Sequence, residues 1–129
     1  MRTILVVDDD PWVRVLARDV LAGEGYRVLE AADGQDAIRV AAEHTGPIHM
    51  LLSDVVMPGM NGCELAAGLV PRLPGIKVMF MSAYDRDFLV TQGLNPIGPV
   101  ITKPFTIEYL SRRVRMVLDR QPEATPAAG

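Results

Sequence analysis

Five short apolar runs alternate with amphipathic stretches along this chain of 129 residues. Ile4–Val7 is continuously apolar, as expected of a strand buried on both faces. Tyr26–Ala31, His49–Ser53, Ile76–Met81 and Val100–Thr102 read as four further strands. Between them the apolar period changes to that of a helix. Val13, Leu16, Ala17, Val20 and Leu21 form one stripe, with Asp10 as N-cap, Pro11 at the first helical position and an end near Gly23. Gln35–Glu43 is a second helix with Ala37, Ile38 and Ala41 inward. Cys63–Leu69 is a short third helix behind the loop Pro58-Gly59-Met60-Asn61-Gly62. Asp85–Thr91 is a weak fourth, because Gly93, Pro96, Gly98 and Pro99 prevent its continuation. Ile107, Leu110, Val114, Val117 and Leu118 stripe a final helix. The Pro- and Ala-rich residues 121–129 read as a tail or linker, which leaves one domain over residues 1–120.

Five βα units predict an α/β fold: an open parallel sheet with helices on both faces. Spacing alone does not order the strands. The flavodoxin-like order 2-1-3-4-5 is the common solution, and ligands then bind at the carboxyl ends of the strands. That arrangement makes the first and third strands neighbours, so Asp8, Asp9 and Asp54 meet.

Composition narrows the function classes. A hydrophobic content of 49% and a formal charge of −3 describe an ordinary soluble domain without the basic footprint of a nucleic-acid binder. The lone Cys63 excludes an internal disulfide and suits a reducing compartment. No run approaches the ~20 apolar residues of a membrane span. With no basic-then-apolar signal pattern at the N-terminus, the cytoplasm is the expected location.

The chemistry lies where strands end on charge: Val7-Asp8-Asp9-Asp10, Leu52-Ser53-Asp54 and Ile101-Thr102-Lys103. Carboxylates a few ångströms apart cannot all ionise cheaply, and a hard divalent cation resolves the conflict. Mg²⁺ commonly joins one or two carboxylates to a phosphate, and a carboxylate beside it can attack phosphorus to form an acyl phosphate. Ser82 would supply a hydroxyl and Lys103 an ammonium to the phosphoryl oxygens. Each group has an ordinary reading when taken singly: Asp10 as a helix cap, Asp54 as turn chemistry, Ser82 as a loop hydroxyl, Lys103 as a solvated side chain. Their gathering at one sheet edge is what argues for function. His44 and His49 lack metal-ligand spacing. The seven methionines read as core and loop filler, and Cys63 as an inert thiol. Neither Gly-rich phosphate loop occurs, so a nucleotide is not the expected ligand.

The segments Val6-Val7-Asp8-Asp9-Asp10, Asp54-Val55-Val56-Met57-Pro58-Gly59-Met60-Asn61-Gly62, Met81-Ser82-Ala83 and Lys103-Pro104-Phe105 together resemble the receiver domain of two-component response regulators. The resemblance covers residues 2–120. Met79–Tyr84 and the Arg-rich last helix look most like receivers of hybrid sensor histidine kinases. It implies that Asp54 accepts a phosphoryl group from the phosphohistidine of a sensor histidine kinase or a histidine phosphotransfer protein. Asp9, Asp54 and the Val56 carbonyl would ligate Mg²⁺ (or Mn²⁺) directly, with Asp8 acting through water. Ser82 would be the switch hydroxyl, Lys103 the partner of the phosphoryl group, and the Lys103–Pro104 bond cis. The output would be altered affinity for a downstream protein, from a monomer or weak homodimer, with no direct nucleic-acid contact and no membrane contact. The chain would be no enzyme beyond its own phosphorylation and dephosphorylation.

Two departures accompany the resemblance. Val100 stands where the family carries an aromatic switch residue, and Gly93–Pro99 is irregular where a longer helix 4 is expected. Both features suit an alternative, a receiver-like dock that signals without phosphate. In the family, side chains two past the acceptor and two past the switch hydroxyl flank the hydrolytic water. Here these are Val56 and Tyr84, which implies slow self-dephosphorylation. A haloacid-dehalogenase-type phosphatase is disfavoured: Trp12 breaks the D-x-D-x-[TV] motif that Asp8–Trp12 approaches, and the chain is short for that class.

Overall fold

A computed structural model describes residues 1–120; residues 121–129, the tail or linker expected from composition, lie outside the described residues. The chain alternates β1 (Thr3–Val7), α1 (Pro11–Gly23), β2 (Arg27–Ala31), α2 (Gly34–Glu43), β3 (Met50–Asp54), α3 (Gly62–Leu69), β4 (Lys77–Ser82), α4 (Arg86–Thr91), β5 (Val100–Thr102) and α5 (Ile107–Asp119), with a 3₁₀ turn at Val70–Arg72. All strand pairs are parallel and the order is β2-β1-β3-β4-β5, as expected from the sequence.

The two periods build a three-layer molecule. Ile4, Val6, Met50, Leu52, Met79, Met81 and Ile101 face α1 and α5, where Ala17, Leu21, Leu110 and Val114 close the core. Leu5, Val7, Leu51 and Phe80 face the opposite way, onto Ala37 of α2, Leu65 and Leu69 of α3 and Leu89 of α4. Strands covered on both sides read as near-continuous apolar runs, and β1 is buried throughout. Side-chain caps start each α-helix: Asp10, Asp33, Asn61, Asp85 and Thr106 accept from main-chain N–H groups. Asn61 and Glu64 form a reciprocal capping box.

Two stripe positions depart from expectation. Leu16 is 40% exposed and Ile107 53% exposed. Leu16 lines an open hollow of about 430 Å³ with Val13, Ala83, Pro104 and Phe105, rather than the closed core. The methionines behave largely as read: Met50, Met57, Met79 and Met81 are buried, whereas Met116 projects from α5. His49 has a structural role, its Nδ1 accepting the Thr3 N–H at 2.9 Å.

The irregular segment after α4 is packed rather than loose. Gly93 takes φ +82°, a left-handed conformation that lets the helix stop. Gly98 crosses β4 so closely that a Cβ there would lie 2.2 Å from the Val78 carbonyl oxygen. The Arg86 guanidinium donates to the carbonyls of Pro96 (2.9 Å) and Gly98.

Candidate functional site

β1 and β3 are hydrogen-bonded neighbours, with Val7 in register with Ser53, and their carboxyl ends deliver the acidic residues to one place. Asp8, Asp9 and Asp54 each offer a carboxylate oxygen, and these oxygens lie within 4.8 Å of one another. Asp8 is fully buried and Asp54 is 6% exposed, whereas Asp9 faces solvent. Asp54 is the last residue of β3, and its Oδ1 accepts the Val55 N–H at 2.9 Å. Lys103 follows β5. Its ammonium stands 2.9 Å from Asp8 Oδ2 and 3.5 Å from Asp54 Oδ1. The Lys103–Pro104 bond is cis.

This concentration of like charge in a dry place has a measurable cost. Burial, and then the neighbouring charge of Asp8, push the Asp54 carboxyl up to about 7, against a smaller opposing effect of Lys103. Burial would lower the Lys103 ammonium. The hydrogen bond to Asp8 and the charges of Asp54 and Asp8 outweigh that effect and raise it. One cation thus serves two buried carboxylates. Among the described residues, the Lys103 ammonium is the one partner of Asp8 Oδ2. Three gathered carboxylates with a single ammonium between two of them form an all-oxygen donor set that fits a hard divalent cation.

Ser82 is the last residue of β4 and is buried, its Oγ accepting the Tyr84 N–H at 3.0 Å. The Lys103 N–H donates to the Ser82 carbonyl at 2.7 Å, which ties the hydroxyl and ammonium positions through one main-chain bond. Val56, two residues past Asp54, and Tyr84 are about half exposed beside the site, and the Tyr84 ring lies 4.8 Å from that of Phe88. Asp10 caps α1 by accepting the Trp12 N–H, as its ordinary reading requires. Cys63 is half-buried, and burial pushes its thiol up, consistent with an inert group.

Sequence reasoning misses two supporting residues. Gly62 reads only as loop composition. Its N–H donates to the Val55 carbonyl at 2.8 Å, and a Cβ on it would fall 2.1 Å from the Asp54 carbonyl oxygen. The run Pro58–Gly62 signals a turn but not that the turn folds back onto the acidic strand. Arg14 looks in the sequence like any other arginine, yet its Nη1 donates to the Asp8 carbonyl at 2.7 Å.

A parallel five-stranded sheet with buried carboxylates and a lysine at one edge defines a phosphoacceptor signalling module rather than a classical enzyme. Residues 4–115 match the response regulator receiver domain, and the chain belongs to that family. It is 35% identical over 120 residues to sensor kinase CckA of Brucella abortus, matching 92% of this chain and 13% of that protein. It is 34% identical over 128 residues to the probable transcriptional regulatory protein TcrX of Mycobacterium tuberculosis, covering 98% of this chain and 54% of that one. The chain therefore spans only part of the length of these relatives. Among solved structures, the receiver domain of the hybrid histidine kinase CckA is 38% identical with a TM-score of 0.77, covering 91% of this chain and 99% of that one. The regulator TrrA of Thermotoga maritima, solved with Mg²⁺ and BeF, is 28% identical with a TM-score of 0.74 at the same coverage. Receiver domains of two-component systems interact with histidine kinases. No helix among the described residues is long and apolar enough to cross a membrane.

Proposed function

We propose that Asp54 accepts a phosphoryl group from the phosphohistidine of a sensor histidine kinase or histidine phosphotransfer protein, and that the modified surface changes affinity for a downstream protein. The single observation that carries this reading is the convergence of Asp8, Asp9 and Asp54 with Lys103 at the end of β3. The ionised Asp54 oxygen attacks phosphorus, the P–N bond to imidazole breaks, and an acyl phosphate forms. Asp9, Asp54 and the Val56 carbonyl would hold Mg²⁺ (or Mn²⁺) directly, with Asp8 acting through water. When bound, the cation offsets negative charge on the phosphoryl oxygens. Lys103 neutralises one of those oxygens, and the Ser82 hydroxyl, freed from the Tyr84 N–H, donates to another. The phosphoryl group adds charge and acceptor oxygens that bias the β4–α4 loop.

The functional unit is residues 1–120, working in the cytoplasm as a monomer or weak homodimer. It catalyses only its own modification, whether it stands alone or within a hybrid kinase. Incubation with phosphorylated candidate kinases and Mg²⁺ should label the wild type and leave Asp54→Asn unlabelled. A second reading, a dock that works without phosphate, is favoured by Val100 and by the closed Gly93–Pro99 segment. Beryllofluoride with Mg²⁺ separates the two. A change in Trp12 fluorescence and in amide shifts around Asp54 supports the phosphoacceptor, and unchanged spectra support the dock.

A further inference from the structure

We propose that Arg14 is a positioning residue for the divalent-cation site, its guanidinium fixing the β1–α1 turn from which Asp9 reaches the metal. The inference rests on the proposed function and names a residue outside its donor set.

The three carboxylates are not held alike. Asp8 Oδ1 accepts the Asp10 N–H at 2.9 Å and Asp54 Oδ1 the Val55 N–H at 2.9 Å, so both are oriented by the main chain. Asp9 is exposed, and among the described residues nothing donates to its carboxylate. Its place is set only by the turn that carries it. Besides the bonds by which Asp10 starts α1, three hydrogen bonds hold that turn. The Asp8 N–H reaches the Ala31 carbonyl at 3.3 Å, the Asp10 N–H reaches Asp8 Oδ1, and Arg14 Nη1 reaches the Asp8 carbonyl at 2.7 Å. The last is the shortest and is charge-assisted, and it grips the peptide joining Asp8 to Asp9.

Arg14 is itself aimed. Its side chain is 20% exposed, and its Nε lies 3.6 Å from Glu30 Oε1 on β2. The other oxygen of Glu30 meets Arg18 Nη1 at 3.2 Å. One planar guanidinium therefore spans a carbonyl on the β1–α1 turn and a carboxylate on β2, through different nitrogens. A lysine carries its three donors on one nitrogen at the end of a flexible stem and lacks the planar fork that reaches two separated partners from different atoms. Groups that orient metal ligands from behind typically change metal affinity by about 10–100-fold when removed.

The test uses the full chain and Mn²⁺, with free ion followed by electron paramagnetic resonance and Mg²⁺ as competitor. Arg14→Gln should weaken Mn²⁺ binding about tenfold or more. Arg14→Lys should fall between it and wild type, and Glu30→Gln should show a smaller loss in the same direction. Melting temperatures without divalent ions report whether each variant is folded. Wild-type affinity in folded Arg14→Gln overturns the proposal. So do affinity losses that merely track the fraction unfolded. Should Arg14→Gln fail to fold, wild-type affinity in both Arg14→Lys and Glu30→Gln overturns it equally. A wild type that holds neither Mn²⁺ nor Mg²⁺ sinks the proposed function itself. A wild type that binds while its variants bind alike sinks only the role of Arg14.

Discussion

Val56, two residues past Asp54, and Tyr84, two past Ser82, are apolar or aromatic and about half exposed. Neither carries a carboxylate or amide to orient a water for attack on an acyl phosphate. The phosphorylated state should therefore be long-lived. Replacing them together, Val56→Asn with Tyr84→Glu, introduces groups able to position water and should speed loss of phosphate at least about tenfold, less than a fully placed general base supplies. Loss of label from purified phosphoprotein measures this, and an unchanged half-life refutes it. The acidic residues and Lys103 are legible in the sequence because each ends an apolar run, and strand ends of a parallel sheet share an edge. Gly62 and Arg14 are not legible. Their importance comes from contacts with the main-chain carbonyls of Asp54, Val55 and Asp8, and side-chain patterning carries no record of where carbonyls point.

Among the elements, strands and long helices are set by periodicity, whereas the segment from α4 to β5 is set by individual bonds. Two glycines and two prolines announce an interruption after Thr91 but not a well-packed one. Leu94 packs on the core, Pro96 is buried, and Arg86 from the first turn of α4 donates to two carbonyls of the segment. Leu16 and Ile107 show the opposite limit. Their helical spacing matches the inward stripe, yet Leu16 lines an open hollow and Ile107, the first residue of α5, stays exposed. Arg86→Ala removes both donors, should cost about 1–2 kcal/mol, and should raise amide exchange selectively at Gly93, Leu94, Asn95 and Gly98. Since Arg86 lies four residues after Ser82, the same variant should weaken the beryllofluoride-induced amide shifts of that segment while sparing those at Asp54. Denaturant titration and exchange spectra check the two parts. A uniform rise in exchange across the sheet would show instead that Arg86 supports the whole fold.

At the scale of the molecule, a well-packed two-sided core supports one deliberately uncomfortable corner. α5 is tied to the rest of the chain at its middle and its C-terminal end: Ser111 and Arg115 donate to Glu24 beyond α1, and Arg2 pairs with Asp119. The acidic edge works against that stability. A carboxyl whose folded pKa is about 7, above the ordinary carboxylate value, binds its proton more tightly in the native state than in the unfolded chain. Its favourable contribution is complete in acid and disappears as pH rises through the ordinary carboxylate value toward 7, then stays absent. Without divalent ions, Asp54→Asn should therefore melt above wild type at pH 8, and the gap should close as pH falls to 5. A bound cation that prefers the native state adds RT ln(1 + [L]/Kd), about 2.7 kcal/mol at a hundredfold excess over Kd. Magnesium should then raise the wild-type Tm at pH 8 in a concentration-dependent way. Chelator should reverse the rise, and Asp9→Asn, which removes a proposed ligand without emptying the buried pocket, should blunt it. Calorimetric scans at the two pH values with and without Mg²⁺ decide the matter, because a Tm indifferent to Mg²⁺ would mean that the three carboxylates meet without ever sharing an ion.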